Sequence, residues 1–134
     1  MRIIVCIDKK NGMMFNHRRQ SRDKAQIADM AQLLGGAPLR IAPYSEKLLS
    51  DSGIVLAVSE DPLADAGSDD WCFIEDRSVA SCADRVTEAV LYHWNRDYPG
   101  DLFFDLDLSG FKKKQTVKFP GNSHEKITKE VWRK

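Results

Sequence analysis

The chain lacks any long apolar run and carries no net charge. No window approaches the roughly 18 consecutive apolar residues of a membrane-spanning helix, and no basic flank followed by an apolar stretch marks a secretory leader. We therefore expect a cytoplasmic protein. Basic and acidic residues number 20 each, so the formal charge gives no preference for a partner of one sign.

Cysteine is also scarce. There are three cysteines among the 134 residues, an odd number without CxxC spacing, which indicates neither a disulfide framework nor a zinc site. Cys6 and Cys72 lie inside apolar, strand-like runs and are predicted to be reduced core thiols. With no internal repeat, linker or low-complexity tract, residues 1–134 are predicted to form one α/β domain with its own core.

The balanced total hides a segregation of charge. The two ends of the chain are basic and residues 46–107 are acidic. Such a pattern can mark an anion site where the basic ends meet, and ordinary solvated surfaces explain it equally well. The basic residues are Lys9, Lys10, Arg18, Arg19, Arg22 and Lys24 in the first part, and Lys112, Lys113, Lys114, Lys118, Lys126, Lys129, Arg133 and Lys134 in the tail.

Apolar periodicity and turn residues predict helices and strands that alternate, followed by a β-rich C-terminal part. This order is typical of an α/β sheet with an antiparallel edge. The expected elements are a strand over 2–7, a loop over 13–20, a helix over about 22–34 capped by Ser21 and ended by Gly35-Gly36, a strand near 39–42, a short helix over 46–49 capped by Ser45, a buried strand over 54–58, a surface loop over 59–70, a strand over 71–74, a short helix over 78–85, and strands near 88–95, 101–107, 113–119 and 126–132.

Four segments carry a family resemblance. They are Asn11-Gly12-Met13 after the first strand, Asp23 in the first helical turn, the stretch from Leu91-Tyr92-His93-Trp94 to Gly100-Asp101-Leu102-Phe103-Phe104, and Asn122-Ser123-His124 before the last strand. In this order the segments resemble the dihydrofolate reductases. The resemblance implies a three-layer α/β fold, in which a mixed, mostly parallel sheet ends in antiparallel strands and is flanked by helices.

The resemblance fails where that family holds NADPH. The family has a Gly-Arg step after its second strand, where a helix N-terminus receives cofactor phosphate. The corresponding place here reads Ile41-Ala42-Pro43-Tyr44-Ser45, with neither the glycine nor the arginine. The family's Gly-Gly pair at the end of a central strand is replaced by Glu75 and Asp76, which add bulk and negative charge where a dinucleotide diphosphate would lie. We therefore expect no cofactor, with ordinary NADPH binding disfavoured.

The substrate side departs from the family too. A Trp and a Leu-Pro of the family are replaced by the segment 15–21, and Tyr92 stands where a threonine supports the family's catalytic acid. By the resemblance, Asp23 would be that acid, able to protonate or orient a ring nitrogen if buried. Pairing of its charge with the helix N-terminus is the alternative role.

The polar segment 16–23 is the densest set of functional groups in the sequence. Arginine forks bind phosphate or carboxylate, so a small anionic ligand is one interpretation and an exposed basic loop is the other. Histidine is the side chain most often used as a general acid or base, so His17 and His124 are candidate acid–base residues, although packing or turn capping also explains His124. The candidate ligand-binding residues are Asn16, Arg18, Arg19, Gln20, Ser21 and Tyr92, and the candidate catalytic residues are Asp23, His17 and His124; no metal site is predicted.

A second resemblance covers nearly the whole chain. The loop Met13-Met14-Phe15-Asn16 to Asp23 and the ending Asn122-Ser123-His124-Glu125-Lys126-Ile127 are similar to those of short clostridial-type chains, some of them called ribonuclease Z. That enzyme class uses a His-x-His-x-Asp-His metal cluster, and His17, His93 and His124 do not form that pattern.

The sequence therefore predicts a reductase-like scaffold that binds a small anionic or heterocyclic ligand between Asp23, Arg18, Arg19 and Tyr92. Three other functions stay open. They are an NADPH-dependent pterin reductase, a ribonuclease or RNA-binding protein that uses the basic loop 17–22 and the tail, and a protein-interaction module.

Overall fold

Strands and short helices alternate along residues 1–134, all of which the computed structural model describes. The ten strands β1–β10 span Arg2–Ile7, Gly12–Phe15, Arg18–Arg19, Leu39–Ile41, Leu56–Val58, Trp71–Phe73, Glu88–His93, Leu102–Phe103, Lys112–Phe119 and Ile127–Arg133. The helices α1–α3 span Lys24–Leu34, Pro43–Leu49 and Pro62–Asp65, and a 3₁₀ helix spans Ala80–Arg85. None of the helices has the length and apolar content that a membrane span requires.

Seven strands form the main sheet, in the order β5-β4-β6-β1-β7-β10-β9. The first five strands in this order, β5, β4, β6, β1 and β7, are parallel. β10 runs antiparallel to both β7 and β9. The mixed, mostly parallel sheet with antiparallel C-terminal strands is confirmed. A second sheet of three short strands, in the order β3-β2-β8, holds the chain that follows β1.

The main sheet is covered on both faces, because alternate residues of its central strands enter two different cores. Ile3 and Val5 of β1 pack in one apolar cluster with Leu63 of α3. Ile4, between them, packs in the other with Met30 of α1, and α2 joins this second cluster. Both faces of β1 are therefore buried, which explains its unbroken apolar sequence.

The segment 13–20, predicted to be a loop, is a β-hairpin. β2 and β3 pair antiparallel, and the two residues between them, Asn16 and His17, have positive φ values of 52° and 62°. Two-residue hairpin turns that match the twist of the strands need positive φ, and asparagine tolerates it well. The absence of glycine hid this turn from sequence reasoning.

Both predicted helix caps are wrong. α1 is capped by Asp23, whose carboxylate accepts from the Ala25 amide at 2.8 Å, because the helix begins three residues after Ser21. α2 begins at Pro43, after Ala42; proline suits a first helical position, where its missing N–H leaves nothing unpaired.

Three further boundaries differ from the prediction. The strand expected over 54–58 covers only β5, an edge strand whose Val58 is 40% exposed, so it is not a buried strand. The expected loop 59–70 contains α3, capped by Asp61. Of the strand expected over 101–107, only β8 forms, and it joins the smaller sheet. Short apolar runs do not reveal their burial, which depends on the position of the strand in the sheet.

Candidate functional site

The start of α1 is fastened to the turn before β10 through one carboxylate. Asp23 is 2% exposed and accepts from the backbone N–H groups of Asn122, Ser123 and His124 at 2.8 to 3.1 Å. The Ser123 hydroxyl and the His124 ring add two more bonds. Gly121 lies so close that a Cβ there would stand 2.7 Å from Asp23 Oδ2. The Asp23 carboxylate therefore accepts the hydrogen bonds that the backbone N–H groups of residues 122–124 would otherwise donate to water.

The pKa of Asp23 follows from this cage. Burial alone would raise the pKa, because it penalises the charged form. The hydrogen bonds from the Asn122 amide, the His124 ring and the Ser123 and Ala25 amides outweigh burial and hold the pKa well below its usual range. Asp23 is therefore ionised at neutral pH and is not positioned as a proton donor.

A chain of three side chains extends from this carboxylate. Nδ1 of His124 lies 2.9 Å from Asp23 Oδ2, and Nε2 of the same ring lies 3.0 Å from Ser21 Oγ. The Tyr98 hydroxyl also reaches Nε2, at 2.9 Å. Trp94 stacks on the imidazole with ring centroids 4.5 Å apart. Of the candidate catalytic residues, Asp23 and His124 are thus in contact.

His17 lies elsewhere, at the exposed tip of the β2–β3 hairpin, and forms no hydrogen bond with His124. Asn16, beside it, donates its backbone N–H to Asp101 Oδ2 at 3.0 Å. Gln20 extends into a different network, where its amide donates to Asp8 and to the Pro99 carbonyl. The hairpin therefore divides the predicted ligand-binding residues among several places.

Arg19 closes the hairpin against the main sheet. Its guanidinium binds both carboxylate oxygens of Glu75, just beyond β6, at 2.8 and 3.0 Å. The Ser45 hydroxyl donates to the same carboxylate at 2.8 Å, and the guanidinium lies 4.7 Å over the Tyr44 ring. The Glu75 side chain is only 9% exposed. We refer to Arg19, Tyr44, Ser45 and Glu75 as the latch.

Tyr92 is fully buried and its hydroxyl donates to Asp29 Oδ2 at 2.6 Å. Lys129 donates to the same oxygen at 2.9 Å. Burial, with the neighbouring Asp29 carboxylate adding to it, raises the pKa of Tyr92 far above its usual value. Tyr92 therefore stays neutral and joins α1 to the C-terminal strands.

An open cleft of about 590 Å³ lies between α1 and α2. The turn that Asp23 holds forms its third wall. Arg22, Lys24 and Lys47 are its cations, and Asp51 is its exposed acid. The remaining lining residues are Asp23, Ile27, Ala28, Leu48, Ser52, Asn122 and Ser123.

Sequence reasoning missed Lys47, Tyr98 and the partners of Glu75. Lys47 and Leu48 on α2 lie four and three residues before Asp51, which follows the helix, and this helical spacing was the available signal. Nothing in the sequence pairs Arg19 with Glu75, 56 positions away. No group of three or more histidine, cysteine or acidic side chains is placed to hold a metal ion.

No protein-family model and no curated protein matches the chain. Among solved structures, it is similar to a dihydrofolate reductase from Enterococcus faecalis, in complex with NADP(H) and RAB-propyl. The TM-score is 0.68, the match covers 98% of this chain and 94% of that one, and 14% of the residues are identical.

The chain has a dihydrofolate reductase fold. The expected layout is thereby confirmed, and at this identity the likeness extends to the scaffold alone. Differences in the side chains of the scaffold decide what it binds.

Proposed function

We propose that this reductase-fold protein binds a small anionic ligand with an apolar or heterocyclic part, in the cleft between α1 and α2. The observation that carries the proposal is the concentration of Arg22, Lys24 and Lys47 around one cleft of about 590 Å³. A cavity of that size accommodates a ligand as large as a mononucleotide.

The charges around the cleft favour an anion. Asp23 lines the cleft, but its carboxylate is consumed by hydrogen bonds from the 122–124 turn. Asp51 is then the one acid left to oppose three cations. A surplus of positive charge in a concave surface attracts anions and raises their local concentration.

The apolar lining suits a flat, weakly polar portion of the ligand. Ile27 and Ala28 lie on one wall, on α1, and Leu48 faces them from α2. Apolar walls with a few well-placed charged groups are the usual composition of small-molecule sites. The ligand proposed here therefore combines a phosphate or carboxylate with a ring.

The latch argues against an ordinary NADPH reductase. Glu75 holds the position where the family resemblance expects glycine, and its carboxylate is fixed by Arg19 and Ser45. A dinucleotide there would have to displace a bidentate ion pair that is largely shielded from water. The residues present at this position therefore do not fit the cofactor.

Reversal of one cleft charge tests the proposal. In calorimetric titrations with AMP, Lys47→Glu is expected to weaken binding about tenfold, because a surface charge contributes about 1 kcal/mol and is here inverted. Adenosine, which has the ring without the phosphate, is expected to bind more weakly than AMP. The affinity for AMP should also fall as salt is added.

Lys118→Glu is the matched control, because Lys118 is also an exposed lysine and lies on β9, outside the cleft. An equal loss of affinity in both variants would contradict the cleft as the site. Dihydrofolate is a second probe that joins carboxylates to a heterocycle. Failure of both AMP and dihydrofolate to bind saturably would contradict the proposal, and oxidation of NADPH by dihydrofolate above the rate without protein would support the reductase instead.

A further inference from the structure

We propose that Ser21, His124 and Asp23 form a nucleophile, a general base and an orienting carboxylate that together transfer acyl groups from esters. This activity is separate from anion binding, because Ser21 and His124 lie outside the lining of the cleft between α1 and α2. The proposal rests on the order and the distances of three side chains.

The distances between these three side chains allow the proton of Ser21 to pass to His124. Ser21 Oγ lies 3.0 Å from His124 Nε2, and His124 Nδ1 lies 2.9 Å from Asp23 Oδ2. Both are within the range in which a nucleophile and its base share a hydrogen bond. With Nδ1–H donated to the ionised Asp23, Nε2 carries the lone pair that accepts the serine proton.

Burial decreases from Asp23 and His124 to Ser21, as expected when only the nucleophile has to meet a substrate. The side chains of Asp23 and His124 are 0% and 1% exposed, whereas Ser21 is half-buried. The carboxylate and the base are thus held in a dry interior, with Trp94 stacked on the imidazole. Ser21 lies at the boundary between this interior and the surface.

Anchoring the turn does not require Ser21. Asp23 binds the 122–124 amides directly, while the Ser21 hydroxyl reaches only the His124 ring and the Tyr98 hydroxyl. The amides of Ser21 and Arg22 donate no hydrogen bond within the chain. Backbone amides without a partner are the usual donors to the negative oxygen that forms when a hydroxyl attacks a carbonyl.

The reaction balances with water as the second reactant. The Ser21 oxygen bonds to the ester carbonyl carbon, and its proton moves to Nε2 of His124. The carbon–oxygen bond to the alcohol breaks, and the alcohol leaves with that proton. Water then adds to the acyl carbon and gives a proton to Nε2. The bond between that carbon and Ser21 Oγ breaks, the proton passes from Nε2 to Oγ, and the carboxylic acid leaves.

Tyr98 competes with Ser21 for the same lone pair, since its hydroxyl lies 2.9 Å from Nε2. The lone pair accepts one hydroxyl proton at a time. Tyr98→Phe leaves Ser21 as the sole hydroxyl donor to Nε2, and the reactivity of Ser21 is therefore expected to increase. If Ser21 only completed a polar network, this change would not raise its reactivity.

Labelling with a fluorophosphonate tests the proposal. The probe is expected to form a bond between phosphorus and Ser21 Oγ with loss of fluoride, and peptide mass mapping identifies the modified residue. Ser21→Ala is expected to abolish this label and to lower hydrolysis of p-nitrophenyl acetate about 100-fold or more. Ser21→Ala removes one hydroxyl, and a matched thermal unfolding curve confirms that the variant is folded.

Ser59→Ala is the control, because Ser59 is half-buried and its hydroxyl has no hydrogen-bond partner. It should keep both the label and the ester hydrolysis. Absence of label on Ser21 in the folded wild-type protein would overturn the proposal. So would hydrolysis that persists undiminished in Ser21→Ala, since it would come from another nucleophile.

Discussion

Replacing Asp23 by alanine is expected to lower the free energy of unfolding by about 3–5 kcal/mol. The change removes the cap of α1 and leaves the amides of Asn122, Ser123 and His124 without an acceptor in a buried turn. Each unsatisfied buried donor costs about 1–3 kcal/mol before the structure relaxes. The loss is therefore expected to be larger than that of an ordinary helix cap.

The effect of this substitution depends on pH in a defined sense. The folded protein holds the pKa of Asp23 below its ordinary value of 3.8, so the unfolded chain takes up the proton first as the pH falls. The stabilisation due to ionised Asp23 is complete above that value and declines as the pH drops below it. The difference between wild type and variant should shrink at acidic pH.

Urea denaturation of both proteins at pH 7 and pH 3 measures this difference. Asp84→Ala is the control, because Asp84 is exposed on the 3₁₀ helix and its side chain forms no hydrogen bond. It should leave stability nearly unchanged. A loss below 1 kcal/mol in Asp23→Ala at pH 7, or a loss that grows as the pH falls, would contradict the role assigned to the carboxylate.

Replacing Arg19 by methionine is expected to destabilise the protein by about 2–4 kcal/mol. Methionine keeps much of the apolar bulk, so the loss reports on the charge. Without the guanidinium, the buried carboxylate of Glu75 keeps the Ser45 hydroxyl as its remaining side-chain donor, and an unpaired buried charge is strongly unfavourable. Glu75→Gln in the same chain removes that charge and should restore part of the stability.

A double-mutant cycle on Arg19 and Glu75 measures their coupling, expected at about 1–3 kcal/mol. Arg40 and Asp70 provide a comparison pair with an equally short contact of 2.8 Å and more exposed side chains. Their coupling should be smaller, because solvent screens exposed charges. Equal coupling in the two pairs would show that Glu75 is not held in a low-dielectric site, against the account of the latch.

Much of the scaffold could be predicted from the sequence. β1 was recognisable because a strand buried on both faces is uniformly apolar, and the end of α1 because Gly35 takes a left-handed conformation there, with φ 55°. The C-terminal strands followed from their alternation. The starts of α1 and α2 could not be placed in this way. Ser21 and Asp23 are both chemically suitable caps for α1, and Ser45 is a suitable cap for α2, so local sequence does not fix the residue at which either helix begins.

The site was less predictable, for a physical reason. The sequence indicated Asp23, His124 and Ser21 individually, but their contact joins positions about a hundred residues apart. The cleft depends on Lys47 and Asn122, which only the packing of α2 and of the last turn brings together. The sequence singled out Glu75 as a departure from the pattern of the family that it resembles, without indicating what it contacts. Its partner Arg19 was expected to face a ligand.

An NMR titration of the isotope-labelled protein with NADPH tests the central claim most directly, because amide shifts locate a bound molecule residue by residue. The account predicts that NADPH leaves the amides of Ser45, Glu75 and Asp76 unchanged, whereas AMP, added to a second sample, perturbs amides around the α1–α2 cleft, at Arg22, Lys24 and Lys47. Saturating shifts centred on Ser45, Glu75 and Asp76 at micromolar NADPH would contradict it.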